Sequence, residues 1–597
     1  MTDLKTYYGH RSESLSREIS KLRLRNRYFV VGEILTFLLA ISAVVLFTTL
    51  SATPWMLVAA VLMLAVYVGV RRMDEANGLR IDRLTSLRTV HERELCYLAG
   101  DFSPFDTGER YNDSRQPFAF DLDLFGPQSV FNRIDRTLTT GGSDYLAHCL
   151  SSLSLTRQEV ESRRRSVDAL ACEKEWRAQY LALGDKMKMD TRHVADLLGK
   201  LQMLKLNSVV CSNAMPIVAY ASLCVLAVLA VASVLTPLPA SVPVMWAMGQ
   251  MLFVCLFCKP TLAAISRIVD VAAAQTAAFS QLVDRVAALN AEASKAEELA
   301  SWTMAARQAQ SCLSELNKIL KSLDRCNSFM GQILYSVSFM TVFLIHRFLR
   351  LQRNIGGGMA ACVEAIERVD ALVSMATFRF NEPAAGTAEL VEGEVLVYEA
   401  HGLYHPFLGD KAVCNDFTID AGNFYIVTGA NMAGKSTFLR SLGVNYVLAR
   451  NGMPVFAKRL RVSMFSLFSS MRTTDDLAHG ISYFNAELLR LKQLIGYCRH
   501  QRHTLIILDE ILKGTNSLDK LNGSRLFLEH ISRLPVSGVI ATHDLELAKM
   551  EQSGDGRFHN YCFEIGLSDR VRYSYKITPG VARNQNATFL LKQILAQ

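Results

Sequence analysis

Lys435 and Ser436 directly follow a loop framed by Gly429 and Gly434. Glycines let a backbone fold its N–H groups around polyphosphate oxygens, a lysine there reaches the β- and γ-phosphates, and a serine hydroxyl ligates Mg²⁺. The run Gly429-Ala430-Asn431-Met432-Ala433-Gly434-Lys435-Ser436-Thr437 therefore reads as a cradle for ATP with Mg²⁺. Two further groups supply what hydrolysis needs. Asp509 completes the metal shell with Ser436, and Glu510 orients or deprotonates the attacking water. His543 is a candidate γ-phosphate sensor, an imidazole whose charge responds to its neighbours.

The elements that must hold these residues are legible in the same stretches. Residues 424–428, 504–508 and 537–541 are β-branched or apolar runs of strand length, each ending at one of the chemical groups. Chemistry at the carboxyl ends of buried parallel strands is the arrangement of an open α/β sheet. Phe438, Leu439 and Leu442 have helical spacing, so the loop joins a strand to a helix.

Four segments in order, TGANMAGKSTFLR at 428–440, DDLAHGISYF at 475–484, LDEILKGTNSLDKLNG at 508–523 and ATH at 541–543, resemble the ATPase domain of MutS-type DNA mismatch repair proteins. The resemblance implies an α/β P-loop ATPase domain of the ABC/MutS type that works as a homodimer. It makes Asn431 the loop asparagine of the signature, and Ser482 the serine that one subunit inserts against the γ-phosphate bound by the other. It places residues 514–517 at the dimer seam. Tyr483 stands where the family usually has threonine, and Lys513 where arginine or lysine is common. Tyr404-His405-Pro406 and Asn415-Asp416 resemble elements leading into the nucleotide site, without the adenine-stacking aromatic at Ala412-Val413. Residues 572–580 resemble the family's closing strand, with a helix expected after it. An ABC transporter is disfavoured, since no LSGGQ signature occurs.

The whole chain has 597 residues, too many for one core, so several domains are expected. A net charge of +8 permits a nucleic-acid or anionic-lipid partner without requiring one. Residues 28–50 carry Glu33 as their only charge, and residues 55–70 form a second apolar run ending at Arg71-Arg72. Their lengths suit two membrane-spanning helices joined by a tight turn. Residues 209–235 and 242–258 repeat the pattern around Thr236-Pro237-Leu238-Pro239. Basic residues flank the outer ends of the first pair, which places both termini and the ATPase on the cytoplasmic side of the inner membrane.

Between the hairpins, residues 129–142 and the helical segment from Arg157 resemble the start of a MutS core domain. Arg163-Arg164-Arg165 reads as a solvated helix face rather than a DNA patch. Residues 261–323 read as one or two long lever helices, and 328–349 as a buried lever helix rather than a fifth span. Gly356-Gly357-Gly358 reads as a hinge. Thirteen cysteines form no disulfide framework, and Cys255 and Cys258 read as packing residues. The resulting divisions are a basic N-terminus (1–27), a first hairpin (28–72), a helical core-like domain (73–205), a second hairpin (206–259), a lever region (260–388) and the ATPase domain (389–597).

Two functions fit this organisation. The first is a membrane-anchored, dimeric, MutS-like ATPase in mismatch repair or a related DNA transaction. The second is a membrane mechanochemical or scaffolding ATPase acting on a protein or lipid partner. The family's DNA-contacting parts have no visible counterpart: no mismatch-reading domain precedes residue 129, and lipid-compatible residues replace the clamp arms.

Overall fold

The computed structural model describes residues 2–49, 55–184, 188–206, 209–269, 273–289, 296–327, 329–354, 357–393, 395–472, 483–501, 503–552, 556–567 and 571–583. Two long helices, Thr2–Thr49 and Trp55–Ala99, open the chain as an antiparallel hairpin. The composition changes at residues 27 and 72 do not interrupt either helix: neither contains a proline, and Gly32 and Gly69 near the boundaries are carried within the helices. Glu33 meets Arg71 at 3.3 Å across the hairpin, and Asn77 Nδ2 donates to Leu22 O and Asn26 Oδ1, each at 3.1 Å.

A second pair, Met215–Leu235 and Ser241–Phe253, continues through a π-turn at Val254–Cys258 into helix Lys259–Val269. Among the described residues four helices are thus long and apolar enough to cross a membrane, Asp3–Thr48, Trp55–Ala99, Met215–Leu235 and Ser241–Arg267, and the bent pair Gly331–Val337 and Met340–Arg353 would make a fifth if taken as one span. Their apolar side chains, among them Leu35, Val61, Val228 and Leu252, face outward rather than into a core.

Residues 261–323, expected as one or two long helices, fall among the described residues on Lys259–Val269 and the first two helices of the lever region. That region comprises Ala273–Ala287, Glu297–Asn327, Phe329–Val337, Met340–Asn354 and Gly357–Asn381. The third and fourth are bent by 83° at residues 338–339, where Phe339 has φ 51°. After this elbow Val342, Ile345 and Phe348 are buried, whereas before it Ile333 and Leu334 are exposed. Only the second half behaves as a buried lever. Of the hinge glycines, Gly356 lies outside the described residues and Gly357 opens the next helix.

Helix Gly357–Asn381 is the centre of the soluble body. It packs against helices Thr140–Ser151, Arg157–Cys172 and Glu297–Asn327, so apolar residues occur all round it. Its one fully buried acid, Asp370, accepts hydrogen bonds from Leu138 N (2.9 Å), Thr139 N (2.8 Å), Thr139 Oγ1 (2.7 Å) and Tyr180 OH (3.2 Å). Burial raises its pKa to about 6, against the lowering effect of those donors. Gly142 follows from this approach, since a Cβ there would lie 2.3 Å from Asp370 Oδ2, while a Cβ on Gly141 would meet the Glu367 side chain of the same helix.

A polar chain ties the first hairpin to this helix. Tyr8 OH donates to Asn381 Oδ1 (2.8 Å), Asn381 Nδ2 donates to Glu94 Oε2 (2.6 Å), and Glu94 forms a buried pair with Arg136 (2.8 Å). The arginine run is not a uniformly solvated face. Arg163 is buried, its guanidinium donating to Tyr145 OH (2.5 Å) and Asn451 Oδ1 (3.4 Å), with Glu298 at 3.6 Å. The neighbouring helix Glu297–Asn327 covers it, and these acceptors make the burial tolerable.

Ten strands occur among the described residues: β1 Glu389–Leu390, β2 Val397–Leu403, β3 Asn415–Asp420, β4 Phe424–Gly429, β5 Arg459–Val462, β6 Ser466–Ser470, β7 Thr504–Asp509, β8 Val536–Thr542, β9 Phe558–Leu567 and β10 Val571–Pro579. One sheet has the order β1-β5-β2-β3, the other β10-β9-β4-β8-β7-β6. The larger sheet is parallel from β9 to β6, with β10 antiparallel at its edge. Alternate residues of β4 face two cores. Tyr425 and Val427 meet helix Lys435–Arg450, while Phe424 and Ile426 meet Leu494, Leu528 and Ile531 of the helices on the opposite face. That two-sided burial explains the nearly continuous apolar runs.

Residues 117–125 dock on this domain. Asp121 accepts from Met471 N (3.0 Å), Arg472 N (2.8 Å) and Ser469 Oγ (2.9 Å), while Asp123 meets Arg472 and, at 3.5 Å, Arg440. Leu122 enters a notch on helix Lys435–Arg450 at Gly443, where a Cβ would lie 2.6 Å from Leu122 Cδ2.

Candidate nucleotide-binding site

The site lies at the carboxyl ends of β4, β7 and β8, and the register explains why its residues meet. Thr428 pairs with Thr542, and Asp509 with Ala541, so Gly429, Glu510 and His543 all leave the sheet at one level. The loop after β4 turns sharply because Gly429 has φ 154° and Gly434 φ 107°, values that a side chain would strain. At Gly429 a Cβ would also lie 2.9 Å from Phe563 O.

Within the loop Ala430 and Ala433 are buried, while Asn431 and Met432 are exposed, Met432 with φ 64°. Lys435 opens the helix, its side chain turned back into the loop. Its Nζ donates to Gly429 O (2.7 Å) and Ala430 O (3.0 Å) and lies 3.3 Å from His543 Nε2. Burial lowers its pKa to about 8, partly countered by Asp509 and Glu510. Ser436 Oγ donates to Asp509 Oδ2, which brings both expected metal ligands together. Thr437, the next residue, is exposed on the first turn.

Glu510 lies between two basic groups. Lys520 Nζ is 3.3 Å from its Oε2, and His543 Nε2 is 3.6 Å from its Oε1. Burial, and then the charge of Lys435, lower the His543 pKa, which favours the neutral imidazole. Glu510 and Leu512 have φ 57° and 58°. Non-glycine residues held there cost about 1–3 kcal/mol each, so the backbone after β7 stores strain beside the candidate water-orienting group.

A cavity of about 870 Å³ opens at the loop, lined by Lys435, Asp509 and Lys513 and also by Leu408, Val413 and Tyr575. Its polar lining has the donor set for a triphosphate, and its apolar and aromatic lining suits a base. The residues present therefore fit a nucleotide with a divalent cation. Among the described residues no cluster of three or more His, Cys, Asp or Glu side chains exists, so a cation here would share Ser436 and Asp509 with phosphate oxygens and water.

Ser482 and residues 473–481 lie outside the described residues, as do 584–597, where a terminal helix was expected. Sequence reasoning missed Lys520, Lys513 as a wall of the cavity, and Tyr575. Lys520 falls one turn into helix Ser517–Ile531, inside the 508–523 segment but with no role read from it. Tyr575 is an aromatic side chain in the cavity lining, where residues 412–413 have none. It arrives from the closing strand, more than a hundred residues away in sequence, beside Gly434. His405 also lines the cavity, its pKa lowered to about 4 by burial and by Arg440 and Arg133.

Residues 425–589 match the family model of MutS domain V. The chain is 26% identical over 281 residues to the DNA mismatch repair protein MutS of Persephonella marina, covering 45% of this chain and 31% of that protein. It is 32% identical over 202 residues to the namesake from Aquifex pyrophilus, covering 33% and 23%. With that from Granulibacter bethesdensis it shares 33% identity over 209 residues, covering 33% and 22%. Each match spans less than a third of the relative's length. The family match falls on the strands and loop that build the cavity, and over these residues the chain is similar to MutS domain V.

Proposed function

We propose that this chain is a membrane-anchored ATP hydrolase whose ATPase domains pair in a homodimer and change their mutual grip as ATP is bound and hydrolysed. The observation that carries the reading is the convergence of Lys435, Ser436–Asp509 and Glu510–His543 on one cavity. Lys435 holds positive charge against the phosphates, and the loop N–H groups cradle them. Mg²⁺, when bound, neutralises charge on phosphate oxygens. Glu510 orients the attacking water and takes its proton, and Lys520 and His543 hold the carboxylate in place. Ser482 of one subunit completes the site of the other.

In this reading the nucleotide switch serves DNA mismatch repair or a related DNA transaction, as the relatives' names state for them. A second reading, a mechanochemical or scaffolding ATPase with a protein or lipid partner, is favoured by the four outward-facing apolar helices. Those helices would hold the chain in the inner membrane with the ATPase domain and both termini in the cytoplasm.

Purified full-length protein should hydrolyse ATP, and Lys435→Ala should not; a wild-type protein that neither binds nor hydrolyses ATP sinks the proposal. Binding to homoduplex, mismatched and junction DNA over a salt series separates the two readings. Phosphate contacts give a steep loss of affinity with salt. Weak, salt-insensitive binding selects the protein or lipid partner.

A further inference from the structure

Helix Ser241–Phe253 leaves its apolar stretch through the π-turn Val254–Cys258, and Lys259 is the first charge after it. Two turns later Arg267 lies on the continuing helix. Both are exposed, and among the described residues neither forms an ion pair. Between them and the 83° elbow of the lever region lies a cavity of about 350 Å³. Ser266, Gln332 and Ser336 add polar side chains to its wall, while Val254 and Leu262 give it an apolar floor. The elbow's first arm, Phe329–Val337, turns Ile333 and Leu334 outward.

This is an amphipathic cleft at the level where a spanning helix would meet the cytoplasm. Its lining offers two unpaired cations and hydrogen-bonding side chains, and beside them apolar side chains and the outward-turned Ile333 and Leu334. A free anion needs only the first half of that design, whereas a phospholipid uses both. Basic pockets between helices on the cytoplasmic side are suited to phosphate head groups, and anionic lipids concentrate in that leaflet.

We propose that this cleft binds an anionic phospholipid of the inner leaflet, with Lys259 and Arg267 on the phosphate and the acyl chains along Val254 and Leu262. The inference rests on the membrane placement proposed above. Lipid in the cleft would bridge the second hairpin to the elbow, so the lever region would sense head-group charge.

The test reconstitutes the full-length chain into vesicles of phosphatidylcholine with a minor share of phosphatidylglycerol, re-extracts it gently and measures retained lipid by mass spectrometry. Phosphatidylglycerol should be enriched over its share in the vesicle. The enrichment should fall about five-fold with either Lys259→Gln or Arg267→Gln, further in the double variant, and persist in Lys259→Arg with Arg267→Lys. Equal enrichment in the neutral and charge-preserving variants, or none in the wild type, overturns the site. So does displacement of the lipid by inorganic phosphate. Resistance to alkaline extraction reports membrane insertion separately. Protein that inserts but retains both lipids in proportion refutes the cleft alone, whereas protein stripped by alkali refutes the membrane placement as well.

Discussion

Lys520 Nζ lies 3.3 Å from Glu510 Oε2, on the side of the carboxylate away from His543. The pair comes from different elements, Glu510 from the turn after β7 and Lys520 from helix Ser517–Ile531. A lysine there holds the carboxylate in a fixed direction. Lys520→Met should therefore lower ATP turnover by about ten-fold or more while leaving nucleotide affinity unchanged, since small misplacements of a reacting group are costly. Steady-state kinetics alongside fluorescent-nucleotide titration would show it; a matching loss of affinity would place Lys520 on the nucleotide instead.

Glu510→Gln keeps the shape and removes the base. Turnover should drop by about a hundred-fold or more, with ATP binding retained. Undiminished hydrolysis in this variant would reassign the base.

ATP affinity should depend on pH through Lys435. Without nucleotide its pKa is about 8, against 10.5 for an unperturbed lysine. Polyphosphate favours the charged form, so binding takes up a proton at and above pH 8 and weakens by about ten-fold for each further pH unit. The stability of the nucleotide-free protein moves the other way. Between pH 8 and 10.5 the unfolded chain binds more protons at this group than the folded one, so this contribution to stability rises with pH. Calorimetry in buffers of different ionisation enthalpy would measure the proton uptake, and zero uptake at pH 8 would contradict the lysine's assigned state.

Asp370→Ala would leave the amides of Leu138 and Thr139 and the hydroxyl of Tyr180 without their acceptor inside the core. The expected cost is about 3 kcal/mol or more, since each stranded buried donor costs about 1–3 kcal/mol. Denaturant unfolding checks it. Because burial holds the Asp370 pKa near 6, above the unfolded value of 3.8, this group's contribution falls as pH rises from about 4 to 6 and is flat beyond.

Gly443→Ala would push a methyl group into Leu122. In an ordinary helix the change is favourable by about 1 kcal/mol, so net destabilisation would report the docked 117–125 segment. Leu122→Ala should make Gly443→Ala harmless, and strict additivity in the double variant would show that the two do not touch in solution.

The candidate site was legible where chemistry is local. Gly429 to Thr437, Asp509, Glu510 and His543 each sit at the end of an apolar run, and the strand pairing brings those ends level. Lys520 and Tyr575 were not legible, because their place depends on how a helix and an edge strand fold back over the loop. The same limit applied in the helical half. Composition located the apolar segments, but helix Thr2–Thr49 runs through the charge boundary at residue 27, and only tertiary packing decides that Arg163 is buried while Arg165 is exposed. The elbow at Phe339 has no glycine or proline to announce it.

The anchoring of Tyr8 to Asn381 gives the first hairpin a mechanical meaning. From Tyr8 to the first apolar residues near Tyr28 the helix climbs about 30 Å without a joint. On the membrane placement, one rigid rod is seated in hydrocarbon at one end and fastened to the helix beneath the ATPase at the other. A thicker or thinner bilayer must then tilt that rod, and the tilt loads its foot at Asn381. Turnover would become a gauge of bilayer thickness, readable by varying acyl-chain length alone.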